Sequence, residues 1–477
     1  MKFKSNRIVA VLLSVITIIS AIPITVSAEE ADLKISTLSE FQQFAADVNN
    51  GNTYEGKTVV LNADIALGGE SSPWTPIGNE TNRFKGTFNG ENHVVSGLFI
   101  SDGSGKNLGL FGYVENGAVE SLTVKGSVYG SGNVAGIVGY LSEGNVINCG
   151  NNADVTGSSA VAGVVGYVGG ASSVSGCYNS GSVTGTTGYI GGVTGQHWRA
   201  GSVENCYNTG VITGPATVGG VSGGHKAASP TLVNCYNAGM VIDSAGNSNN
   251  IGAVIGASRG TNSGCFYLKG TGTDTKDGIT ETEILDADIL GSGFKSDDDN
   301  LNGGYPILAW QIKIPDLIIG SYEELKAFAD SVNEGNTYEG KLIRLDVNVY
   351  LGGSSNPWTP AGTSASPFKG IFDGNYHIVS GLYINGGSSL GFFGAVDGGI
   401  IRNLVVSGSV TGSGDIAGIA GKLTAGKIIN CGNEASISGS ANVGGIVGSI
   451  NGDCTVSGCY NSGSVSGTTG YIGGVTG

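Results

Sequence analysis

Apolar residues occur along most of this chain in short bursts separated by Gly, Ser and Asn. A glycine-centred run at 134–139 is followed by a second run ending at Cys149 and a third around Val155. The same three pieces recur about every 29 residues, a period typical of stacked repeats. Short β-branched runs between tight corners predict strands. Three strands per turn, each paired with its equivalent one turn on, predict an all-β parallel β-helix, with seven or eight turns between Gly56 and Leu268 at about 4.8 Å per turn.

Two segments follow a helical period instead. The first spans about 37–50, where Thr37 and Glu40 have the spacing of a capping box. The second begins with Ser321 and Glu324 in the same arrangement. The apolar face comprises Leu38, Phe41, Phe44, Ala45 and Val48 in the first and Leu325, Phe328, Ala329 and Val332 in the second. We interpret both as N-terminal caps that cover the first open turn of a solenoid.

A longer duplication overlies the short repeat. Segment 52–57 recurs at 336–341, and segment 73–76 recurs at 357–360. We therefore predict two tandem modules, 29–311 and 312–477, and we expect the first to finish with a non-repeating stretch at about 270–311. The second copy matches the first only as far as Gly195, so we expect it to be incomplete.

The chain start and the composition favour an extracellular protein. Residues 1–28 run from basic through apolar to small residues, the order of a cleaved secretory signal, with an uncleaved membrane anchor as the alternative. The formal net charge is −15, which argues against binding to nucleic acid or to anionic lipid. Only 13% of the residues are charged, and 86 are glycine. We expect a secreted or cell-surface protein with no membrane span after signal cleavage.

The cysteines follow the short repeat. Their equivalents one turn earlier in the two modules are Leu122 and Leu404, which indicates a buried apolar slot filled by free thiols. Disulfides remain an alternative, because eight cysteines in a secreted chain often pair, and Cys454 with Cys459 is the closest couple. No metal-ligand spacing occurs among them. The predicted ladder comprises Cys149, Cys177, Cys206, Cys235, Cys265, Cys431 and Cys459.

A tyrosine and an asparagine follow four of these cysteines. Identical amides stacked between turns can bond as a ladder, and asparagine also tolerates left-handed corners, so we assign Asn179, Asn208 and Asn237 a structural role. If the thiols point inward, the neighbouring tyrosines point outward by strand alternation. Such a stripe is a candidate binding surface for sugars or proteins, with simple mutual stacking as the alternative. The tyrosines are Tyr178, Tyr207, Tyr236 and Tyr460.

Other polar residues indicate no catalytic centre. His93 and His377 are equivalents and suggest a turn role, whereas His197 and His225 are predicted in loops one turn apart without an acidic or thiol partner. The run 297–300 (Asp-Asp-Asp-Asn) could bind Ca²⁺ or form a solvated acidic loop, and it lacks the EF-hand spacing. We predict no cofactor and no metal.

The phrases Val-Gly-Gly-Val-x-Gly and Asn-Cys-Tyr-Asn-x-Gly resemble the GLUG repeat family of bacterial surface proteins. Segments 84–90 and 302–311 fit the same family. The resemblance implies a right-handed β-helix on secreted or wall-associated proteins, mostly of Gram-positive bacteria, and implies no reaction. Some GLUG repeats accompany IgA-cleaving metallopeptidases, but the zinc motif His-Glu-x-x-His is absent from this sequence.

Three hypotheses of function follow. The first is a non-enzymatic extracellular scaffold for adhesion or ligand presentation, whose partner is a glycan or a surface protein. The second is a β-helical polysaccharide lyase or hydrolase, although charged residues that could form an active site are sparse. The third is a set of non-catalytic repeats within a larger secreted peptidase.

Overall fold

The computed structural model describes residues 31–246, 250–283, 285–297, 301–312 and 314–477. The chain divides into two compact units at Gln311 and Ile312. We call them module 1 and module 2 and describe each by itself. The predicted signal peptide lies outside the described residues. Among those described, no helix has both the length and the apolar character needed to cross a membrane.

Each module opens with a strand and an amphipathic helix. The helix of module 1 spans Leu38–Asn49, where Thr37 accepts from the Glu40 amide and the Glu40 side chain accepts from the Thr37 amide. The helix of module 2 spans Tyr322–Asn333, and Ser321 accepts from the Glu324 amide at 3.1 Å. Both apolar faces are buried against the first turns. The predicted cap helices are therefore confirmed.

Module 1 is a parallel β-solenoid of nine turns, eight of which follow the cap helix. Sheet A has nine strands: Leu33–Ile35, Thr58–Leu61, Thr87–Asn89, Ala118–Glu120, Asn145–Ile147, Ser173–Ser175, Ser202–Glu204, Thr231–Val233 and Thr261–Ser263. Sheet B has thirteen: Ile65–Ala66, Val94–Ser101, Thr123–Tyr129, Gly150–Asn151, Asp154–Gly157, Tyr178–Asn179, Val183–Gly185, Tyr207–Asn208, Ile212–Gly214, Tyr236–Asn237, Val241–Asp243, Cys265–Leu268 and Ile279–Thr282. The predicted parallel β-helix is confirmed.

Two six-stranded sheets complete six of the nine turns of module 1. Sheet C contains Phe111–Glu115, Val138–Ser142, Val165–Gly169, Thr194–His197, Ser222–His225 and Ile255–Ala257. Sheet D contains Lys106–Leu108, Gly132–Val134, Ser159–Ala162, Tyr189–Gly191, Thr217–Gly219 and Ile251–Gly252. All pairs in sheets A to D are parallel, and they keep one register apart from a shift between Val95 and Leu98 in the pair of Val94–Ser101 with Thr123–Tyr129. Most core positions therefore form columns along the axis.

The end of module 1 folds back onto sheet B. It contains the short helix Ala287–Leu290, the antiparallel pair Phe294–Lys295 and Ile307–Leu308, and a 3₁₀ turn at Ala309–Gln311. Leu290, Phe294 and Leu308 are buried against tyrosines of sheet B. We call residues 285–311 the end segment.

Module 2 repeats the architecture with six turns. Its sheet equivalent to A contains Leu317–Ile319, Leu342–Leu345, Ile371–Asp373, Ile400–Arg402, Lys427–Ile429 and Thr455–Ser457. The equivalent of B contains Val349–Tyr350, Ile378–Asn385, Val405–Thr411, Gly432–Asn433, Ser436–Gly439, Tyr460–Asn461 and Val465–Gly467. The remaining strands are Phe393–Asp397, Ala420–Thr424 and Val447–Asn451, with Val443–Gly444 paired to Ile472–Gly473. Short 3₁₀ turns lie at Gly69–Ser71 in module 1 and Gly353–Ser355 in module 2.

Candidate functional site

An asparagine column runs through the interior of module 1. The Asn179 amide donates to the Asn208 side-chain oxygen at 2.7 Å, and the Asn208 amide donates to Asn237 at 2.8 Å. Each amide also donates to the carbonyl two residues on, such as Gly181 for Asn179 at 2.8 Å. All three side chains are fully buried. Asn179 and Asn208 each use both amide hydrogens, and such satisfied buried amides stabilise the stack.

Glycine on the opposite wall makes room for this column. A Cβ placed on Gly192 would lie 2.4 Å from the Asn208 side-chain oxygen, and one on Gly163 would lie 2.0 Å from that of Asn179. These distances are far below van der Waals contact, so no other residue fits. The glycine of each Val-Gly-Gly-Val phrase therefore packs against the asparagine of a Cys-Tyr-Asn phrase.

The asparagine with left-handed backbone is the one before each cysteine, and not the one after the Cys-Tyr pair as the sequence suggested. Asn208 lies on a strand, whereas Asn205 directly before Cys206 has φ +51°. Asn148 and Asn234 have the same conformation, and Gly176 takes that place in another turn. Only residues that tolerate positive φ are suited to this position.

The cysteine side chains line the core next to this corner. Cys149, Cys177, Cys206, Cys235, Cys265 and Cys431 are buried, and every cysteine is free. Each thiol contacts backbone carbonyls, as Cys177 does with Ser175 at 3.2 Å. Burial raises the pKa of the Cys177, Cys206 and Cys235 thiols well above its ordinary value, which keeps them protonated and unreactive.

Module 2 contains the half-buried cysteines. Cys454 and Cys459 are partly exposed and unbonded, so the disulfide suggested by their spacing is absent. The contact with Cys431 lowers the pKa of Cys459 to about 7.

The predicted tyrosine stripe of module 1 is covered. Tyr178, Tyr207 and Tyr236 do point out of the solenoid and stack with ring centroids 5.0–5.2 Å apart, but their exposed fractions are only 9%, 1% and 0%. An exposed stripe at these residues was therefore a wrong expectation. Tyr460 of module 2 is 47% exposed.

The end segment provides this cover. The Tyr236 hydroxyl donates to the Pro306 carbonyl and accepts from Asn302 at 2.9 Å. The Trp310 indole donates to the Gly176 carbonyl at 2.7 Å. The Asp297 carboxylate accepts hydrogen bonds from the backbone amides of residues 301, 302 and 304 at 2.6–2.9 Å. The rest of the 297–300 run, where Ca²⁺ binding was considered, lies outside the described residues.

A second tyrosine stack, which sequence reasoning missed, lies half-exposed on sheet C. Tyr113, Tyr140 and Tyr167 are in register on neighbouring strands, with ring centroids 4.5 and 4.6 Å apart. Burial raises the pKa of Tyr113, and it raises that of Tyr167 to about 12. The repeated Gly-Tyr pair at 112–113, 139–140 and 166–167 was the signal that could have revealed it. We call these three residues the outer tyrosine stripe.

Charged residues border one end of the outer tyrosine stripe. The Arg83 guanidinium lies over the Tyr113 ring, 4.7 Å from its centroid, and forms an ion pair with Glu115. Lys85 also pairs with Glu115, at 3.3 Å. Lys85 in turn lines a shallow cleft of about 340 Å³ together with Glu120. Burial raises the Glu120 pKa, and no lysine, arginine or histidine in the described part of the chain forms an ion pair with this carboxylate.

The buried histidines form a pair rather than separate loops. His197 and His225 lie on neighbouring strands of sheet C, in register, with ring centroids 5.4 Å apart. Their placement corrects the prediction that both lie in loops. By contrast, His93 and His377 are surface residues that contact Asp64 and Asn348. In the described parts of the chain, no three His, Cys, Asp or Glu side chains gather as a metal site.

The family model described as the GLUG motif matches residues 186–213. This segment is similar to the GLUG motif. It contains both Gly192 and Asn208, so the matched GLUG sequence spans the interior contact described above.

Two further proteins resemble this chain. A protein of Evansella cellulosilytica described as a Gly-rich membrane protein is 39% identical over 89 residues, which are 17% of this chain and 10% of that protein. A crystal structure of a Bacteroides ovatus protein described as an immunoglobulin A1 protease aligns with a TM-score of 0.47 at 19% identity. It covers 58% of this chain and 92% of that one. The chain thus spans only a small part of the curated relative.

Proposed function

We propose that this protein is a non-enzymatic extracellular repeat scaffold that binds a surface partner through the outer face of module 1. The outer tyrosine stripe carries the proposal. Module 2 has Ala395, Lys422 and Ser449 in the same register. The fold does not need tyrosine at these positions, because the second solenoid forms without it.

The geometry of the stripe indicates how a partner would be held. Each ring stacks on the next, and Arg83 covers the outer side of Tyr113, so ring faces are largely occupied. Ring edges and hydroxyl groups remain for contact. A partner would therefore be recognised through hydrogen bonds and edge contacts, as tyrosine-rich interfaces often are.

The neighbouring cleft enlarges this surface and also differs between the modules. In module 2 the residue in the place of Glu120 is Arg402, which pairs with Asp373 at 2.9 Å. In module 1 the corresponding register pair is Asn89 and Glu120. In module 2 the charge of Arg402 is therefore paired within the module by Asp373. In module 1 the Glu120 carboxylate can instead bind a polar group of a ligand.

The test is to give module 1 the outer residues of module 2. Residues 29–477 and the variant Y113A/Y140K/Y167S should be compared on arrayed glycans and on immobilised extracellular-matrix proteins. We expect the unaltered protein to bind at least one of these surfaces and the variant to bind it at least tenfold more weakly. Equal binding of both proteins, or binding by neither, would argue against the proposal. Release of soluble sugars from polygalacturonate would instead favour the enzyme hypothesis.

A further inference from the structure

An open cleft lies on module 1 between the loop 75–81 and the first strand of sheet D, Lys106–Leu108. Its volume is about 590 Å³, within the range of about 300–1,000 Å³ that is typical of small-ligand sites. Asn49, the last residue of the cap helix, fixes the loop. Its side-chain amide donates to the Pro76 carbonyl at 3.0 Å, and its side-chain oxygen accepts from the Gly78 amide at 2.9 Å. One wall of the cleft is therefore held in place by the protein itself.

Two residues bring opposite charges to this cleft. Glu80 lies on the loop and Lys106 lies on the strand, and both line the cleft. Among the described residues, neither of them forms an ion pair with the other or with a third residue. A carboxylate accepts several hydrogen bonds and an ammonium donates three, so both groups keep capacity for a ligand that lies between them.

A short series of amides positions the Glu80 carboxylate. The Asn133 side-chain amide donates to the Asn107 side-chain oxygen at 2.7 Å, and the Asn107 amide donates to Glu80 Oε1 at 3.3 Å. Asn107 is only 8% exposed, and it also lines the cleft. A buried polar side chain thus holds a charged one at the wall of the cleft, which is how binding sites are supported from behind.

Module 2 keeps the support of this loop and lacks the polar side chains. Asn333 bonds Pro360 and Gly362 in the same way, at 3.0 and 2.9 Å. The three cleft residues of module 1 are replaced by serines, with Ser364, Ser388 and Ser389 in the places of Glu80, Lys106 and Asn107. Ser389 has φ +58° and Asn107 has φ +56°, so the backbone is alike. The fold therefore does not need the longer side chains at these positions.

The lining favours an uncharged, hydroxyl-rich ligand. A sugar hydroxyl donates to a carboxylate and accepts from an ammonium, so one sugar can satisfy both Glu80 and Lys106. Pro76 and Leu108 offer apolar contact to the carbon faces of sugar rings. A neutral ligand also suits a chain with a net charge of −15. A free amino acid fits less well, because carboxylates are commonly held by arginine or by several backbone amides, and no arginine is among the described residues of the lining.

The loop also reaches the outer tyrosine stripe. The Arg83 side chain, which lies over the Tyr113 ring, donates to the Glu80 carbonyl at 3.3 Å. We infer that the cleft binds the end of a neutral glycan, roughly two sugar units long, and that the following units extend along the outer tyrosine stripe. The inference rests on the proposed function, because it names the class of partner that this face of module 1 binds.

The test gives the cleft the serines of module 2. Residues 29–477 and the variant E80S/K106S, which has the same net charge, should be compared on arrayed neutral oligosaccharides. We expect the unaltered protein to bind some of them and the variant to bind the same ones roughly tenfold more weakly or worse. The control K34S/E55S removes an exposed lysine and an exposed glutamate outside the cleft and should bind like the unaltered protein.

A second measurement needs no variant. In the unaltered protein, the strongest-binding oligosaccharide of the array should slow the hydrogen exchange of residues 75–81. Unchanged exchange there, despite binding, would place the sugar elsewhere and overturn the inference, even if E80S/K106S fails to fold.

The failure of this inference can be distinguished from the failure of the proposed function. Full binding by E80S/K106S with loss of binding by Y113A/Y140K/Y167S would refute the cleft and leave the stripe as the binding surface. Loss of binding by E80S/K106S alone would support the cleft and refute the stripe. Binding only to carboxylated glycans, to acidic peptides or to free amino acids would overturn the assignment of a neutral sugar, as would binding to no neutral oligosaccharide.

Discussion

The two modules are alike inside and different outside. Gly192 faces Asn208 in module 1, and Gly418 faces Asn433 in module 2 with an equally close approach. The inward neighbour of the outer stripe is apolar in both, as Val114 and Val396 show. Outside, one module displays three stacked tyrosines where the other has alanine, lysine and serine. The comparison teaches that the repeat pattern specifies the core, whereas outer positions are free to acquire function.

The shared core can be disrupted with a single methyl group. We expect Gly192→Ala to destabilise module 1 and Gly418→Ala to destabilise module 2, each by about 2–4 kcal/mol, because the new Cβ displaces a fully bonded asparagine. Urea unfolding of each variant measures this loss. Gly132→Ala is the control, since its Cβ would meet nothing closer than 3.7 Å and should be nearly neutral. Equal behaviour of Gly132→Ala and Gly192→Ala would contradict the packing account.

Acid should affect module 1 in a way that module 2 does not share. The folded-state pKa of His225 is about 4 and that of His197 is also lowered, both by burial, whereas unfolded histidine titrates near 6.5. As the pH falls from about 6.5 towards 4, these histidines bind protons in the unfolded chain but stay neutral in the folded one. The free energy of unfolding therefore decreases. We expect a loss of about 3 kcal/mol for His225 alone, measured by urea unfolding across this pH range. In H197V/H225V the stability should depend much less on pH over this window. A stability profile unchanged by the substitutions would contradict the assignment of the acid effect to these two histidines.

The covered Tyr236 and the exposed Tyr460 are a matched pair across the modules. Tyr236→Phe removes a hydroxyl that contacts Pro306 and Asn302, so we expect it to loosen the end segment by about 1–2 kcal/mol. Tyr460→Phe removes an exposed hydroxyl whose contact is Glu434 at 3.3 Å and should change stability by less than about 0.5 kcal/mol. Hydrogen exchange of residues 285–311 reports the first effect. Similar small changes for both would show that the end segment does not depend on Tyr236.

Much of the fold could be predicted because the same sequence pattern recurs in most turns of the solenoid. The period, the glycine phrase and the capping residues Thr37 and Ser321 are local signals, and each describes contacts between neighbours in sequence or between adjacent turns. The asparagine ladder was foreseen for the same reason. Its glycine partner was not, because residue 192 and residue 208 meet across the interior rather than along the stack.

The surface was harder to predict. Strand alternation placed Tyr207 outside the solenoid, but its cover is the non-repeating Gln311, more than a hundred residues away in the chain, whose side chain bonds its hydroxyl at 3.1 Å. No periodic signal encodes that contact. His197 looked like a loop residue because its segment lacks the apolar pattern of the equivalent strand at 165–169, although its backbone keeps the register.

Oxidative footprinting of tyrosines by hydroxyl radicals tests most directly the claim that module 1 covers one tyrosine stack and displays another. We predict strong labelling of Tyr460, intermediate labelling of Tyr113, Tyr140 and Tyr167, and almost none of Tyr178, Tyr207 and Tyr236. Labelling of Tyr207 and Tyr236 as strong as that of Tyr460 in the folded protein would contradict the account.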